Sequence, residues 1–282
     1  MDGVIIVNKE KDYTSRDVVN ILNKTLMTKK IGHTGTLDPM AEGVLVMCVG
    51  KALKLAELIT AYDKEYVAEV TLGIQTDTLD ITGTILKEVD ANINKDMIVQ
   101  VLKEMTKTYL QEVPSYSAVK INGKKLYEYA RENIAVELPK KEVTINSLEL
   151  VGDIRYENNK TIFTIKTTVS KGTYIRSLIN DIAASLNTVG VMSALTRTRQ
   201  GNFKIGDAFL INEIANNRYK LIGIKDLLPD YTIIKTDNPR VLNGNPIDNT
   251  YNLDKIMFVN NNDEPIGLYI RVNDQLRSYK MF

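Results

Sequence analysis

The chain has 282 residues, of which 44% are hydrophobic and 25% are charged, and this composition is typical of a folded globular protein with one large domain or two. Its 36 basic residues nearly balance its 35 acidic ones, so the net charge of +1 indicates no class of partner. The longest apolar run, residues 44–49, is far shorter than the roughly 20 residues that span a bilayer, so we expect a cytoplasmic protein with no membrane segment.

The first ninety residues predict strands and helices separated by polar loops. Thr14 and Ser15 are typical of a helix start, because Val18, Val19 and Leu22 follow at helical spacing. The predicted strands are residues 3–9, 44–50, 64–73 and 84–89, a second helix is predicted over residues 52–62, and polar loops cover residues 29–43 and 74–83.

The middle of the chain predicts three further helices, a hairpin and a sheet. Asn94 is a good cap for a helix over the residues that follow, and Asn122-Gly123 is a hairpin signal with a short helix after it. Residues 143–170 predict two or three strands with a turn at Asn158-Asn159, and residues 173–186 predict an amphipathic helix with Arg176 in its first turn. From about Leu227, prolines and Asn-rich turns between short β-like runs predict a small all-β domain.

The common motifs for phosphate loops, dinucleotides, zinc proteolysis and nucleophile elbows do not occur. The single Cys48 lies in an apolar run, where a buried packing role is the expectation, and with the single His33 it cannot complete a zinc site without carboxylates. Ser117 and Lys120 have the SxxK spacing of penicillin-recognising acyltransferases, but the partner motifs of those enzymes are missing. Chance is the favoured explanation of that spacing.

The loop GHTGTLDP concentrates features that folding alone does not require. Its two glycines permit close backbone approaches, Thr34 and Thr36 can bind loop amides, and Pro39 holds Asp38 extended. The loop could therefore present a rigid carboxylate. The alternative interpretation, favoured from the local sequence alone, is that Asp38 caps a helix-like turn over the residues that follow.

A carboxylate that acts as a nucleophile in a dry pocket needs a cation beside it. Arg176 is the best candidate, because a helix start gives a solvent-facing arginine no dipole benefit. A purely structural ion pair explains it about as well as a catalytic one. Tyr66, Tyr116 and Tyr174 lie at the margins of polar loops, where a tyrosine can stack on a base. Basic residues that could hold phosphates, or simply face solvent, are Lys29, Lys30, Lys120, Lys124, Lys125, Arg131, Lys140, Lys141, Arg197, Arg199 and Lys204.

Six blocks in order resemble the TruB-type tRNA pseudouridine synthases, which isomerise uridine 55 in the T-arm loop of tRNA. The blocks are VNKEKDYTSRDVV, KKIGHTGTLDPMAEGVL, KEYVAEVTLGIQTDTLDITG, PSYSAVKINGKKLYEYAR, SKGTYIRSLINDI and ALTRTRQGNF, and together they cover roughly residues 3–205. The departures from the family pattern are Val113-Pro114, Val169, Glu132-Asn133 and Ile182 to Asn187, none of which falls on a proposed catalytic position.

The resemblance implies roles for seven residues. Asp38 is the expected catalytic aspartate and nucleophile, Tyr66 the active-site tyrosine, and Arg176 the arginine that pairs with the aspartate. The expected substrate-binding residues are Lys9, His33, Tyr66, Tyr174 and Leu195. The target base is expected to flip out of its loop into the pocket, and no metal or organic cofactor is expected.

The resemblance also implies an α+β fold with a mixed, mostly antiparallel central sheet, an RNA-gripping insertion and a small C-terminal β domain of the PUA type. We therefore expect a catalytic domain over residues 1–225, with the insertion at about 110–143, and a C-terminal domain over residues 226–282.

The expected function is the conversion of uridine 55 to pseudouridine by a stand-alone, monomeric enzyme that binds the T-arm stem-loop and needs no protein partner. Attack on the base, attack on the sugar and assisted glycosidic cleavage all remain open as routes. Two rival functions are the catalytic subunit of a guide-RNA pseudouridylation complex and an RNA-binding chaperone for tRNA folding.

Overall fold

The computed structural model describes residues 1–282. The helices are α1 (Ser15–Thr25), α2 (Ala56–Thr60), α3 (Lys95–Met105), α4 (Leu126–Arg131), α5 (Ile175–Ser185), α6 (Ile211–Ala215) and α7 (Pro239–Leu242). The strands of the first half are β1 (Gly3–Lys9), β2 (Ile31–His33), β3 (Glu42–Val49), β4 (Lys64–Leu72), β5 (Ile74–Thr76), β6 (Ile85–Glu88), β7 (Thr108–Glu112), β8 (Lys120–Ile121), β9 (Lys124–Lys125) and β10 (Lys140–Glu157). The remaining strands are β11 (Lys160–Val169), β12 (Gly190–Gln200), β13 (Phe203–Lys204), β14 (Phe209–Leu210), β15 (Ile222–Gly223), β16 (Thr232–Lys235), β17 (Ile247–Asp248), β18 (Lys255–Val259), β19 (Pro265–Val272) and β20 (Gln275–Met281).

The chain divides into two compact units. Unit 1 consists of Met1–Asp38, Leu45–Thr60 and Gly206–Phe282, and unit 2 consists of Pro39–Val44 and Ala61–Ile205. None of the helices has the length and apolar character required to cross a membrane.

Unit 1 contains one set of strands around β1 and a separate five-stranded sheet. β1 pairs in parallel with β14 and antiparallel with β15, and β2 pairs antiparallel with β3. α1 buries Val18, Val19 and Leu22, as its helical spacing requires.

The five-stranded sheet of unit 1 has the order β16-β18-β19-β20-β17. Its core includes Phe258 and Tyr269, whose rings meet edge to face at 5.1 Å. The β texture predicted after Leu227 is thus present, and the domain boundary at residue 226 stays a prediction.

Unit 2 is built on a sheet of order β12-β4-β11-β10-β7, in which all neighbouring strands are antiparallel. The start of β3 adds a parallel pairing to β12, with Glu42 opposite Thr196 and Gly43 opposite Arg197. α5 packs on β12 and β4, and it buries Leu178, Ile179 and Ile182. The predicted α+β class with a mixed, mostly antiparallel sheet is therefore confirmed.

Local predictions largely agree with the structure. Thr14 and Asn94 are N-caps, each accepting a hydrogen bond from a backbone N–H of the first helical turn. Asn122 and Gly123 both have positive φ between β8 and β9, as a two-residue hairpin requires.

Two predicted helices differ from those observed. The helix expected over residues 52–62 is a 3-10 turn, Gly50–Leu55, followed by the short α2. Ala52, Leu55 and Ile59 are all buried, and a spacing of three then four residues is satisfied by either kind of turn. The helix expected over residues 173–186 begins at Ile175, with Tyr174 as its N-cap residue.

Candidate active site

The loop that carries Asp38 is held by buried polar contacts within unit 1. The Thr34 N–H donates to the Val46 carbonyl at 3.1 Å, and the Leu37 N–H donates to the Ser15 hydroxyl at 2.9 Å. Asp38 itself is half-buried. After it, residues 39–40 form a turn and β3 begins at Glu42, so the segment that follows Asp38 is a turn and not a helix.

Lys9 and His33 lie in the same unit as Asp38. Lys9 ends β1 and is fully buried, and its ammonium group donates to the carbonyls of Glu10 at 3.0 Å and Tyr13 at 2.6 Å. These bonds fix the turn between β1 and α1. His33 is the last residue of β2 and lies opposite Met47 on β3, one residue before the anchored Thr34.

Tyr66 and Leu195 share one face of the sheet in unit 2. Tyr66 on β4 is opposite Arg197 on β12, and Ala68 is opposite Leu195. Residues two apart on a strand point to the same face, so Tyr66 and Leu195 are diagonal neighbours. Both are less than a tenth exposed.

Arg197 and Lys64 are buried cations beside this face. The Arg197 Nε donates to the Val44 carbonyl at 2.7 Å, and the Lys64 Nζ donates to the Tyr62 carbonyl at 2.7 Å. Burial lowers the pKa of Lys64 to about 8, and the positive charge of Arg197 acts in the same direction. Arg197 on β12 is therefore bonded to the backbone of β3. From the sequence, it belongs to the basic residues that could hold phosphates or face solvent.

Arg176 joins two irregular segments of unit 2. It lies at the start of α5 and is 6% exposed. Its Nη1 donates to the Thr78 carbonyl at 2.9 Å and its Nη2 donates to the Tyr116 carbonyl at 3.1 Å. The planar guanidinium thus ties the polar loop after β5 to the segment after β7.

The polar loop after β5 is organised by the buried Asp80. One carboxylate oxygen of Asp80 accepts hydrogen bonds from the Thr78 hydroxyl at 3.0 Å, the Thr82 hydroxyl at 2.6 Å and the Thr82 N–H at 3.0 Å. These bonds hold the backbone of Thr78, whose carbonyl Arg176 contacts. The carboxylate of Asp77, in the same loop, accepts from the Tyr116 hydroxyl at 3.2 Å.

Tyr174 is positioned by Gln111, a residue that the sequence analysis did not identify. The Tyr174 N–H donates to Gln111 Oε1 at 2.8 Å, and Gln111 Nε2 donates back to the Tyr174 carbonyl at 3.2 Å. The side-chain amide of Gln111 therefore bonds both backbone groups of Tyr174, as a neighbouring strand would. Tyr174 is the N-cap residue of α5, and its own side chain makes no capping hydrogen bond.

A chain of hydrogen bonds continues from Gln111 to Asp181. Gln111 Nε2 also donates to the Tyr109 hydroxyl at 2.9 Å, which in turn donates to Asp181 at 2.8 Å. Burial raises the pKa of Asp181, although the hydrogen bond from Tyr109 lowers it. Burial also raises the pKa of Tyr109, so its hydroxyl stays protonated and remains a donor.

The SxxK pair does not form a helical motif. Ser117 lies in an irregular segment and Lys120 begins β8, so the two side chains are not one helical turn apart. The structure therefore gives no support to serine acyltransfer chemistry.

Comparison with solved structures defines the class of fold. The structure of an H/ACA RNP bound to a substrate RNA containing 2'-deoxyuridine matches with a TM-score of 0.69 over 99% of this chain and 84% of that chain, at 21% identity. A structure described as human RNA pseudouridylate synthase domain containing 1 matches more weakly, with a TM-score of 0.37 over 81% of this chain and 93% of that chain, at 11% identity. The fold is shared with the first of these despite the low identity.

Sequence comparisons identify the family. Residues 23–175 match the model of the TruB family pseudouridylate synthase N-terminal domain. The protein named tRNA pseudouridine synthase B from Bacillus licheniformis is 42% identical, with 86% of this chain and 82% of that protein covered. The protein of the same name from Staphylococcus haemolyticus is 36% identical over 100% of this chain and 99% of its own length. The chain belongs to the TruB family of pseudouridylate synthases, an isomerase family, as the six sequence blocks predicted.

Proposed function

We propose that the protein converts uridine 55 in the T-arm loop of tRNA to pseudouridine. The observation that carries the proposal is the anchored loop GHTGTLDP, which presents Asp38 within a chain whose relatives, matched along nearly their full length, are named tRNA pseudouridine synthase B. Substrate and product contain the same atoms, so the reaction consumes no oxidant and no second substrate.

The reaction moves the bond between the sugar and the uracil from N1 to C5 of the base. The N1–C1′ bond of uridine breaks, the uracil turns, and a C5–C1′ bond forms, while C5 loses its proton and N1, freed from the sugar, gains one. We propose Asp38 as the nucleophile, on the sugar or the base, or as the group that assists cleavage. Arg176 is the cation that keeps Asp38 ionised, because a carboxylate removed from water otherwise gains a proton.

The remaining predicted residues bind the flipped uridine. A base inside a stacked loop is out of reach, so it must leave the stack before Asp38 can act. Tyr66, with its ring less than a tenth exposed beside Leu195, offers a stacking surface and an apolar wall. We assign Tyr174 and His33 to the surrounding RNA contacts. Lys9, also predicted to bind substrate, is fully buried, so we assign it the support of the turn between β1 and α1.

We propose that the enzyme acts alone, as a monomer, in the cytoplasm where tRNA is modified in bacteria such as those of its relatives. The first matched structure is an RNP, but at 21% identity it is evidence for the fold alone and does not favour the guide-dependent rival. The stand-alone proposal rests instead on relatives that match over the whole chain and carry the name of a tRNA enzyme.

Pseudouridine mapping on an unmodified T-arm stem-loop tests the function. Wild-type protein should form product at the T-loop uridine without added protein or guide RNA. Asp38→Asn, which keeps the size of the side chain but removes its charge, should bind the RNA and form no product. Product from Asp38→Asn would refute the role of Asp38, and tight binding without product from either protein would favour the chaperone or the guide-dependent enzyme.

A further inference from the structure

Ser15 is the first residue of α1, but the helix does not need its hydroxyl. The capping box is made by Thr14, whose hydroxyl accepts from the Asp17 N–H at 3.1 Å and whose own N–H donates to the Asp17 carboxylate at 2.9 Å. Thr14 is exposed, whereas Ser15 is 3% exposed. The buried hydroxyl of Ser15 is therefore available for another contact.

That contact is with both main-chain polar groups of a single residue. The Ser15 hydroxyl accepts from the Leu37 N–H at 2.9 Å and donates to the Leu37 carbonyl at 3.2 Å. One hydroxyl can do both, since it has one proton and two lone pairs. Leu37 lies outside every strand and helix, so Ser15 supplies the hydrogen bonds that a strand partner would otherwise supply.

Asp38 follows Leu37 directly and precedes Pro39. A residue before proline is confined to the extended region, which restricts the backbone of Asp38 on its carboxyl side. The two bonds from Ser15 restrict the peptide on its amino side. With the Leu37 side chain buried at 3% exposure, the direction of the Asp38 Cα–Cβ bond is fixed from both sides.

We propose that Ser15 is a positioning residue that aims the Asp38 carboxylate at the reacting carbon. The proposal rests on the function proposed above and adds a residue to its machinery. Ser15 touches no substrate; it acts through the Leu37 peptide. A nucleophile must lie within about 3–3.5 Å of its target and in line with it, and a misplacement of about 1 Å can lower the rate on the order of 100-fold.

The expected signature is a loss of rate without a loss of binding. Ser15→Ala should lower the single-turnover rate on a T-arm stem-loop by about 10- to 100-fold, because the carboxylate samples unproductive directions. The dissociation constant for the RNA should change by less than about 3-fold. Ser15→Thr, which keeps the hydroxyl, should recover most of the rate.

Thr14→Ala is the matched control. It removes a hydroxyl one residue away and weakens the same helix, but it leaves the contacts of Leu37 in place. Its melting temperature should fall while its single-turnover rate stays within about 2-fold of wild type. Hydrogen exchange at the Leu37 N–H should accelerate in Ser15→Ala and stay near wild type in Thr14→Ala, a readout that does not depend on activity.

The outcomes separate the two proposals. An active wild type with Ser15→Ala at the same rate, or with Thr14→Ala slowed as much as Ser15→Ala, would overturn the positioning role and leave the function standing. An unchanged exchange rate at Leu37 in Ser15→Ala would overturn it too. A wild type that forms no pseudouridine would instead overturn the proposed function, and the role of Ser15 with it.

Discussion

Replacement of Gln111 by leucine tests whether one buried amide holds the start of α5. Gln111 is 1% exposed and makes three hydrogen bonds: one from the Tyr174 N–H, one to the Tyr174 carbonyl and one to the Tyr109 hydroxyl. Leucine has a similar volume and keeps the packing, so the loss is confined to these bonds.

The size of the expected destabilisation depends on the polar groups that lose the Gln111 amide as their hydrogen-bond partner. A buried donor or acceptor deprived of its partner costs about 1–3 kcal/mol. Tyr174 is half-buried, so water can replace part of what is lost at its backbone. We therefore expect Gln111→Leu to lower the free energy of unfolding by about 3 kcal/mol, measured by urea denaturation.

Gln100→Leu is the control for a glutamine-to-leucine change in the same unit. Gln100 is exposed on α3 and bonds only to Glu104 of the same helix, so the expected change lies within about 0.5 kcal/mol. If Gln111→Leu unfolded at the same urea concentration as wild type, with an unchanged denaturant slope, the account of Gln111 as the brace of Tyr174 would be refuted.

Three further predictions concern buried charge and backbone. Burial raises the pKa of Asp181, so the ionised carboxylate destabilises the fold above that pKa. Asp181→Asn should therefore be more stable than wild type at pH 7. Urea denaturation should show this difference in stability shrinking toward pH 3, where the carboxyl group is protonated in both the folded and the unfolded chain. The pKa of Lys64 is about 8 in the folded chain against 10.5 for an ordinary lysine, so between these pH values the unfolded chain binds more protons and stability should rise with pH. Lys64→Met should flatten that rise. An unaltered slope of stability against pH would contradict the burial of a charged Lys64. Gly43 has φ +100, and an added Cβ would lie 2.3 Å from the Arg197 carbonyl oxygen, so Gly43→Ala should lower the free energy of unfolding by more than about 3 kcal/mol. Gly123 has φ +84 with open space around it, so Gly123→Ala should lower it by only about 1 kcal/mol. Thermal unfolding measures both changes.

The sequence predicted the elements whose signals are local. Thr14 and Asn94 were recognised as caps because side chain and helix start lie within four residues of each other, and the Asn122-Gly123 hairpin needs only its own two residues. The family resemblance came from six blocks, and family membership is confirmed by relatives that span the whole chain. The roles of the seven predicted site residues stay predictions.

The contacts that sequence reasoning missed join residues far apart in the chain. Gln111 and Tyr174 are separated by 63 positions, and the Arg197 Nε and the Val44 carbonyl by 153. A glutamine in a strand and an arginine in a basic stretch carry no local mark of burial. The sequence therefore groups Arg197 with basic residues that could face solvent, and nothing in it marks Lys64 as buried.

The composition of unit 1 sets an order for folding during synthesis. Its segments come from both ends of the chain. On one side β1 pairs with β3, and on the other it pairs with β14 and β15, which leave the ribosome about 200 residues after β1. Unit 2 is complete once residue 205 has emerged. At that point β1, which ends at Lys9, still lacks its partners β14 and β15, because both strands lie after residue 205. Pairing across such a separation is slow, so a free chain that ends at residue 205 should hold a folded unit 2 and an unfinished β1.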